Sequence, residues 1–324
     1  MTSYFALEKL VRIGLVVLRL VLVLLVSIDL KGMLQRSLGQ ARFALCGLLR
    51  LAFCIKSLIC FYLFYERRLV PIVFIVLAWG YQPERLLSGV YLLFYTLSAS
   101  MPLLWVILVT SSSYEECAFL DSSFSLSAAF LVLCWSLSFL VKLPAYGLHL
   151  WLPLAHVEAP KVGSILLAGL LLKLSCYGFY IVWDLLAVDV WWLVAPFFLI
   201  GGVLARLVAY AQRDIKSLVA YSRVVHIAWI VLVCLYPSKI SFLALLIIRL
   251  GHGFSSSGLF FRCSSFYEKF KTRSLLALQG GISFVPGIVF SLSLLLVARC
   301  RAPPTVRWFG EVNQGSAPVE VCKY

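Results

Sequence analysis

Gly163–Trp183 (GSILLAGLLLKLSCYGFYIVW) is a run of 21 residues whose single charge is Lys173. An α-helix rises 1.5 Å per residue, so about 20 apolar residues cross the roughly 30 Å hydrocarbon core of a bilayer. Runs of this kind recur along the chain, and they restrict the fold severely. In hydrocarbon every backbone N–H and C=O must be paired within the protein, which leaves helices or a closed barrel. The runs are continuous rather than alternating, which excludes the barrel. The sequence therefore predicts an all-α fold, a polytopic transmembrane helical bundle. Composition agrees: 62% of the 324 residues are hydrophobic and 13% charged, with a mean hydropathy of +0.99. A soluble domain carries about 25% charged residues.

Predicted spans lie near 8–30, 41–56 (a weaker one), 57–79, 88–110, 124–143, 163–183, 190–211, 216–236, 240–261 and 275–298. That makes about nine or ten helices. The first follows Lys9 and Arg12 and reads as a retained span rather than a cleaved signal peptide. Loops are predicted at 80–85, 111–123 and 262–273, and no linker divides the chain. One membrane domain, 1–312, followed by a polar tail, 313–324, is expected. Two places interrupt the pattern. At 142–163, KLPAYGLHLWLPLAHVEAPKVG holds Pro144, Pro153 and Pro160, so a broken helix packed inside protein is expected. At 299–312, Pro303 and Pro304 end one run ahead of a shorter one.

Net charge is +14, and the basic residues cluster at span ends, as in Lys31–Arg36, Arg206–Lys216 and Arg262–Arg273. Contact with anionic headgroups accounts for them, and no basic and aromatic patch points to nucleic acid. Ten cysteines, among them Cys46, Cys54, Cys60, Cys134, Cys176 and Cys234, form no CxxC pair and read as small buried hydrophobes. His149, His156 and Glu158 lack the spacing of a zincin helix, so no metal site is expected. They are read as tying the broken segment together, or as a proton entry. No phosphate loop, dinucleotide fingerprint or haem motif is present, so no cofactor is expected on this chain.

The ionisable residues inside the spans carry the chemistry. Lys173 lies ten residues into its run, about 15 Å and so near a bilayer's midplane. A charge there costs at least about 2.5–3.5 kcal/mol and marks a functional hypothesis. The alternative is a bundle-interior lysine with no transport role. Lys142 ends the apolar run before Pro144 and is either a snorkelling lysine or a proton carrier at a helix discontinuity. Burial disfavours a charged lysine and a nearby carboxylate restores it. Glu66 is the candidate partner, unless it pairs with Arg67 or Arg68. Unit charges 4 Å apart at an effective dielectric of 20 attract by about 4 kcal/mol, enough to switch a lysine between loaded and empty. His226 and His252 are either satisfied core histidines or proton relays, with Ser222 and Ser255–Ser257 able to order water beside them.

The stretch VKLPAYGLHLWLPLAHVEAPKVGSILLAGLLLKLSCYG closely resembles the signature of the subunit 4 family of mitochondrial NADH–ubiquinone oxidoreductase (complex I), antiporter-like proton channels. So do FYLFYERRLVPIVFIVLAWGYQPERLLSGVYLLFYT, QRDIKSLVAYSRVVHIA, GHGFSSSGLFF and RAPPTVRWFGE, in order, over about 60–312. The resemblance implies a proton-translocating membrane-arm subunit of the mitochondrial inner membrane. NADH, FMN, the iron–sulfur clusters and ubiquinone would be bound by other subunits. Its partners would be antiporter-like and accessory subunits of the complex and lipids such as cardiolipin. It further implies that Glu66 pairs with Lys142, that Lys173 is the central lysine, and that His226 and His252 lie on a hydrated axis. Glu311 falls where the family has the acidic residue of a second broken helix. Four spans are usual before the position of Glu66 and further helices after that of Glu311, more than this chain carries. Leu154, Ser175, Cys176, Arg223 and Arg249 depart from the family's usual residues. The alternatives are a subunit of a stand-alone cation/proton antiporter, or a structural membrane-arm element without transport.

Overall fold

The computed structural model describes residues 36–55, 57–80, 82–112, 126–176, 178–179, 191–235, 239–278, 285–300, 302–303, 305 and 308–312. The predicted first span and most of the 111–123 loop lie outside them. The regular structure of the described residues is helical, apart from one isolated bridge. Its helices are α1 (Arg36–Cys54), α2 (Leu58–Arg67), α3 (Leu69–Trp79), α4 (Arg85–Ser112), α5 (Leu126–Lys142) and α6 (Trp151–Glu158). Then follow α7 (Lys161–Leu166), α8 (Trp191–Tyr210), α9 (Ile215–Leu235), α10 (Lys239–Phe270) and α11 (Pro286–Arg299). A π-helical turn, Leu167–Leu171, continues α7.

The surface is inverted relative to a water-soluble protein. Phe94 and Phe290 are 71% and 66% exposed, whereas Lys142 and Lys173 are 3% and 6% exposed. Apolar outside and charged inside is the arrangement a bilayer imposes. Arg85–Leu108 and Ile215–Leu232 are each long and apolar enough to cross a membrane. Cys54 and Cys60, expected to be buried, lie on this outer surface, where lipid gives a small apolar side chain no reason to turn inward. Cys46, Cys134, Cys176 and Cys234 are buried as expected.

The helices pack in pairs: α8 along α9, α4 along α5, and α10 between α9 and α11. The short α6 lies against both α4 and α9, so the broken segment is enclosed by the bundle. At one end Asp214 and Ser274 form an isolated bridge that ties the α8–α9 and α10–α11 connections together.

Three predicted boundaries move. In the 275–298 span, residues 275–278 are turns and the helix runs from Pro286 to Arg299. The 57–79 run is two helices, parted at Arg68. Pro71 has no N–H to bond the carbonyl four residues back, at Arg67, so the ladder breaks there. The predicted 262–273 loop is helix as far as Phe270. That stretch has no Gly or Pro, Phe266 stacks on Phe270, and Glu268 pairs with Lys161 at 3.2 Å. The break at 142–163 forms as expected. Helix α5 stops at Lys142, residues 143–150 are turns, and helix resumes at Trp151. Gly147 takes φ +92°, a conformation that only glycine adopts without strain.

Candidate functional site

Glu66 lies in the last turn of α2 and Lys142 at the C-terminal end of α5, and the lysine Nζ donates a hydrogen bond to Glu66 Oε1. Lys142 is buried rather than reaching for a headgroup, and Glu66 pairs with it rather than with Arg67 or Arg68. Glu66 Oε2 is also buried and has no hydrogen-bond partner among the described residues.

Tyr65 joins this pair to the second lysine. Lys142 Nζ lies 4.0 Å from the Tyr65 ring centroid and the Arg68 guanidinium 4.1 Å. The Tyr65 hydroxyl donates to Ser175 Oγ at 3.2 Å, two residues along from Lys173. Arg68 also donates to Ser175 Oγ, at 3.2 Å, and to the Leu171 carbonyl at 2.9 Å. Neither Tyr65 nor the reach of Arg68 is evident in the sequence, because an aromatic in an apolar run looks like any core residue.

Lys173 sits just past the π turn. A π turn shifts backbone bonding to i→i+5 and so re-aims carbonyls away from the α ladder. The Ala168 carbonyl accepts from Lys173 Nζ at 2.8 Å and also from Arg223 Nη2 of α9. Arg249 of α10 donates through Nη2 to the Lys173 carbonyl. Nothing in the sequence signalled the π turn or these contacts, although Arg223 and Arg249 stood out as charges in apolar spans.

His226 and His252 are brought together on α9 and α10, their ring centroids 6.1 Å apart and inclined at 69°. The nearby hydroxyls donate back into their own helices: Ser222 to Val219 O at 2.9 Å and Ser257 to Gly253 O at 2.9 Å. Only their acceptor lone pairs remain to order water. Glu311 lies in a short helical stretch, 308–312, beside α10, where a Cβ on Gly310 would come within 2.6 Å of Ile248. No hydrogen bond or ion pair among the described residues joins Glu311 to Lys173.

His149, His156 and Glu158 do not converge. His149 accepts from the Gly147 N–H at 3.2 Å and stacks on Tyr146. His156 is stacked on Phe260 and its Nε2 accepts from Arg223 Nη1 at 2.8 Å, which puts the ring proton of the neutral imidazole on Nδ1. Glu158 faces Arg273 at 3.7 Å. No group of three metal-ligating side chains occurs among the described residues. Glu158 does line a cavity of about 850 Å³ with Glu84, Asp214, Lys271 and Arg273, at the end of the bundle where the bridge lies. Behind it Lys216, expected at a headgroup, is buried with its Nζ 3.4 Å from the Val157 and Ala159 carbonyls. These are carbonyls that the break before Pro160 releases from helical bonding.

Comparison with known proteins places the chain in a family. Residues 56–314 match the family model described as NADH:quinone oxidoreductase/Mrp antiporter, transmembrane. NADH-ubiquinone oxidoreductase chain 4 of Ceratitis capitata is 42% identical over 270 residues, 81% of this chain and 60% of that protein. The Artemia franciscana chain 4 is 38% identical over 286 residues, 88% of this chain and 74% of that one. The chain thus spans about 60% of the length of the Ceratitis relative. Its fold is similar to a chain of respiratory complex I from Thermus thermophilus with bound NADH, at a TM-score of 0.76 and 24% identity, covering 95% of this chain and 65% of that one. It is also similar to a chain of the Mrp complex from a Dietzia species, at 0.74 and 18%, covering 86% and 32%. The chain belongs to the NADH:quinone oxidoreductase/Mrp antiporter transmembrane family, as a relative of NADH-ubiquinone oxidoreductase chain 4.

Proposed function

We propose that this chain is a proton-translocating subunit of the membrane arm of respiratory complex I, spanning the mitochondrial inner membrane several times. NADH oxidation and ubiquinone reduction would take place on other subunits, which would bind NADH, FMN, the iron–sulfur clusters and the quinone. Antiporter-like and accessory subunits would be its neighbours, and cardiolipin would meet its basic span ends.

One observation supports this most: the Glu66–Lys142 pair, with Lys142 buried, is linked through Tyr65 and Ser175 to the turn that carries Lys173. A lysine charged against a carboxylate holds a proton, and withdrawing the carboxylate releases it. At about 4 kcal/mol for contact charges in a partly polar interior, the pair is strong enough for such a switch. Glu66, Lys142 and Lys173 would be the proton-carrying groups, with Tyr65 and Ser175 spanning the gap between the lysines. His226 and His252 would extend the path into α9 and α10. Glu311 would close it, as in the family it resembles. The cavity at Glu158, which Asp214, Lys271 and Arg273 also line, would open the path to one aqueous face.

A Lys173→Met variant removes a titratable site while keeping an unbranched apolar side chain. Proton pumping driven by NADH should fall to near zero in an assembled complex, and unchanged pumping would overturn the reading. A stand-alone cation/proton antiporter subunit is the second reading, which the likeness to the Mrp complex chain supports. Copurification with flavin and iron–sulfur subunits separates the two.

A further inference from the structure

We propose that Arg223 and Arg249 hold a small monovalent anion, of halide size, inside the bundle beside Lys173. Arg223 is 0% exposed and Arg249 6% exposed. Arg223 commits Nη1 to His156 and Nη2 to the Ala168 carbonyl, while its Nε is buried with no partner among the described residues. Arg249 commits Nη2 to the Lys173 carbonyl, while its Nη1 is likewise buried without a partner.

Every acceptor these guanidiniums have found is neutral. The described ion pairs join Lys142 to Glu66, Lys161 to Glu268 and Arg273 to Glu158, and none includes Arg223, Arg249 or Lys173. Both arginines lie within electrostatic reach of Lys173, and their heads sit on two carbonyls of the same helical stretch, Ala168 and Lys173. A lysine can shed its proton when buried, but an arginine keeps its charge. A permanent buried charge requires a counter-charge, and a free N–H requires an acceptor. A single small anion between α9 and α10 meets both requirements. Burial of both guanidiniums favours a bare ion over a bulky phosphate or carboxylate ligand. The inference stands apart from the proton relay, because a static bundle would hold the same ion.

The test uses the chain in its native membrane complex, reconstituted in lipid, with chloride exchanged for bromide or for gluconate. Bromide retained after washing is counted by X-ray fluorescence, and thermal unfolding of this subunit is followed in chloride and in gluconate. The expected result is one bromide per complex fewer in the Arg223→Gln/Arg249→Gln double variant. The native subunit should also unfold at a higher temperature in chloride than in gluconate, a difference the variant loses. Equal bromide in both forms would overturn the proposal. So would a halide-independent midpoint, which would assign the counter-charge to a carboxylate from elsewhere. Should the double variant not assemble, Arg249→Lys keeps the charge and loses the fork. The chloride concentration that gives half the stabilisation should then rise about tenfold, and no change would overturn the proposal.

Discussion

Replacing Glu66 by Gln keeps the side chain's size and removes the one ion-pair partner that Lys142 has among the described residues. Lys142 is 3% exposed, so water cannot take over the role of the carboxylate. The lost attraction is about 4 kcal/mol at an effective dielectric of 20. Truncating one partner of a buried pair costs about 3–5 kcal/mol, in line with that figure. Arg68, a second cation on the same Tyr65 ring, adds repulsion. With about 1.4 kcal/mol per factor of ten, the proton affinity of Lys142 falls by about three decades. Pumping by the assembled complex, measured as a pH gradient in vesicles during NADH oxidation, should therefore drop at least tenfold. Glu66→Asp, which keeps the charge on a shorter arm, should restore part of it. Glu268→Gln serves as the control: that carboxylate is 53% exposed and its bond to Lys161 is worth at most about 1 kcal/mol. Wild-type pumping in an assembled Glu66→Gln complex would refute the reasoning.

Other perturbations test separate contacts. Tyr65→Phe removes the hydroxyl that donates to Ser175 and leaves the ring under Lys142. A hydrogen bond worth about 0.5–1.5 kcal/mol implies a loss of pumping of about two- to tenfold with assembly intact, read in the same vesicles. Gly178→Ala places a Cβ 2.2 Å from Phe139 Cε1. Overpacking of this kind costs about 1–3 kcal/mol, so thermal unfolding of the complex should shift down, and Phe139→Leu should rescue it.

The helical class was legible because hydrocarbon permits so little else, and the break at 142–163 because three prolines fall within it. Glu66 and Lys142 were legible as partners because each is an isolated charge in an apolar run, and such charges find each other. The proximity of His226 to His252 follows from the pairing of their consecutive helices. Tyr65 was hidden by its resemblance to core aromatics, and its hydroxyl meets Ser175 from 110 positions away. The π turn at Leu167–Leu171 left no trace, since Leu, Ala and Gly suit an ordinary α-helix equally well. Arg68 reads only as an alternative partner for Glu66, because nothing local shows that the π turn brings the Leu171 carbonyl within its reach. The continuation of α10 to Phe270 is not legible because its charges resemble a loop, whereas Lys161 pairs with Glu268 across the end of the bundle.

The most direct measurement is infrared difference spectroscopy of the complex during NADH-driven turnover, comparing native protein with Glu66→Gln. A proton that moves through the Glu66–Lys142 pair must change the state of that carboxylate. The account predicts a carboxyl band that rises and decays with turnover and is missing from the variant. A native spectrum in which no turnover-linked band depends on Glu66 would contradict it.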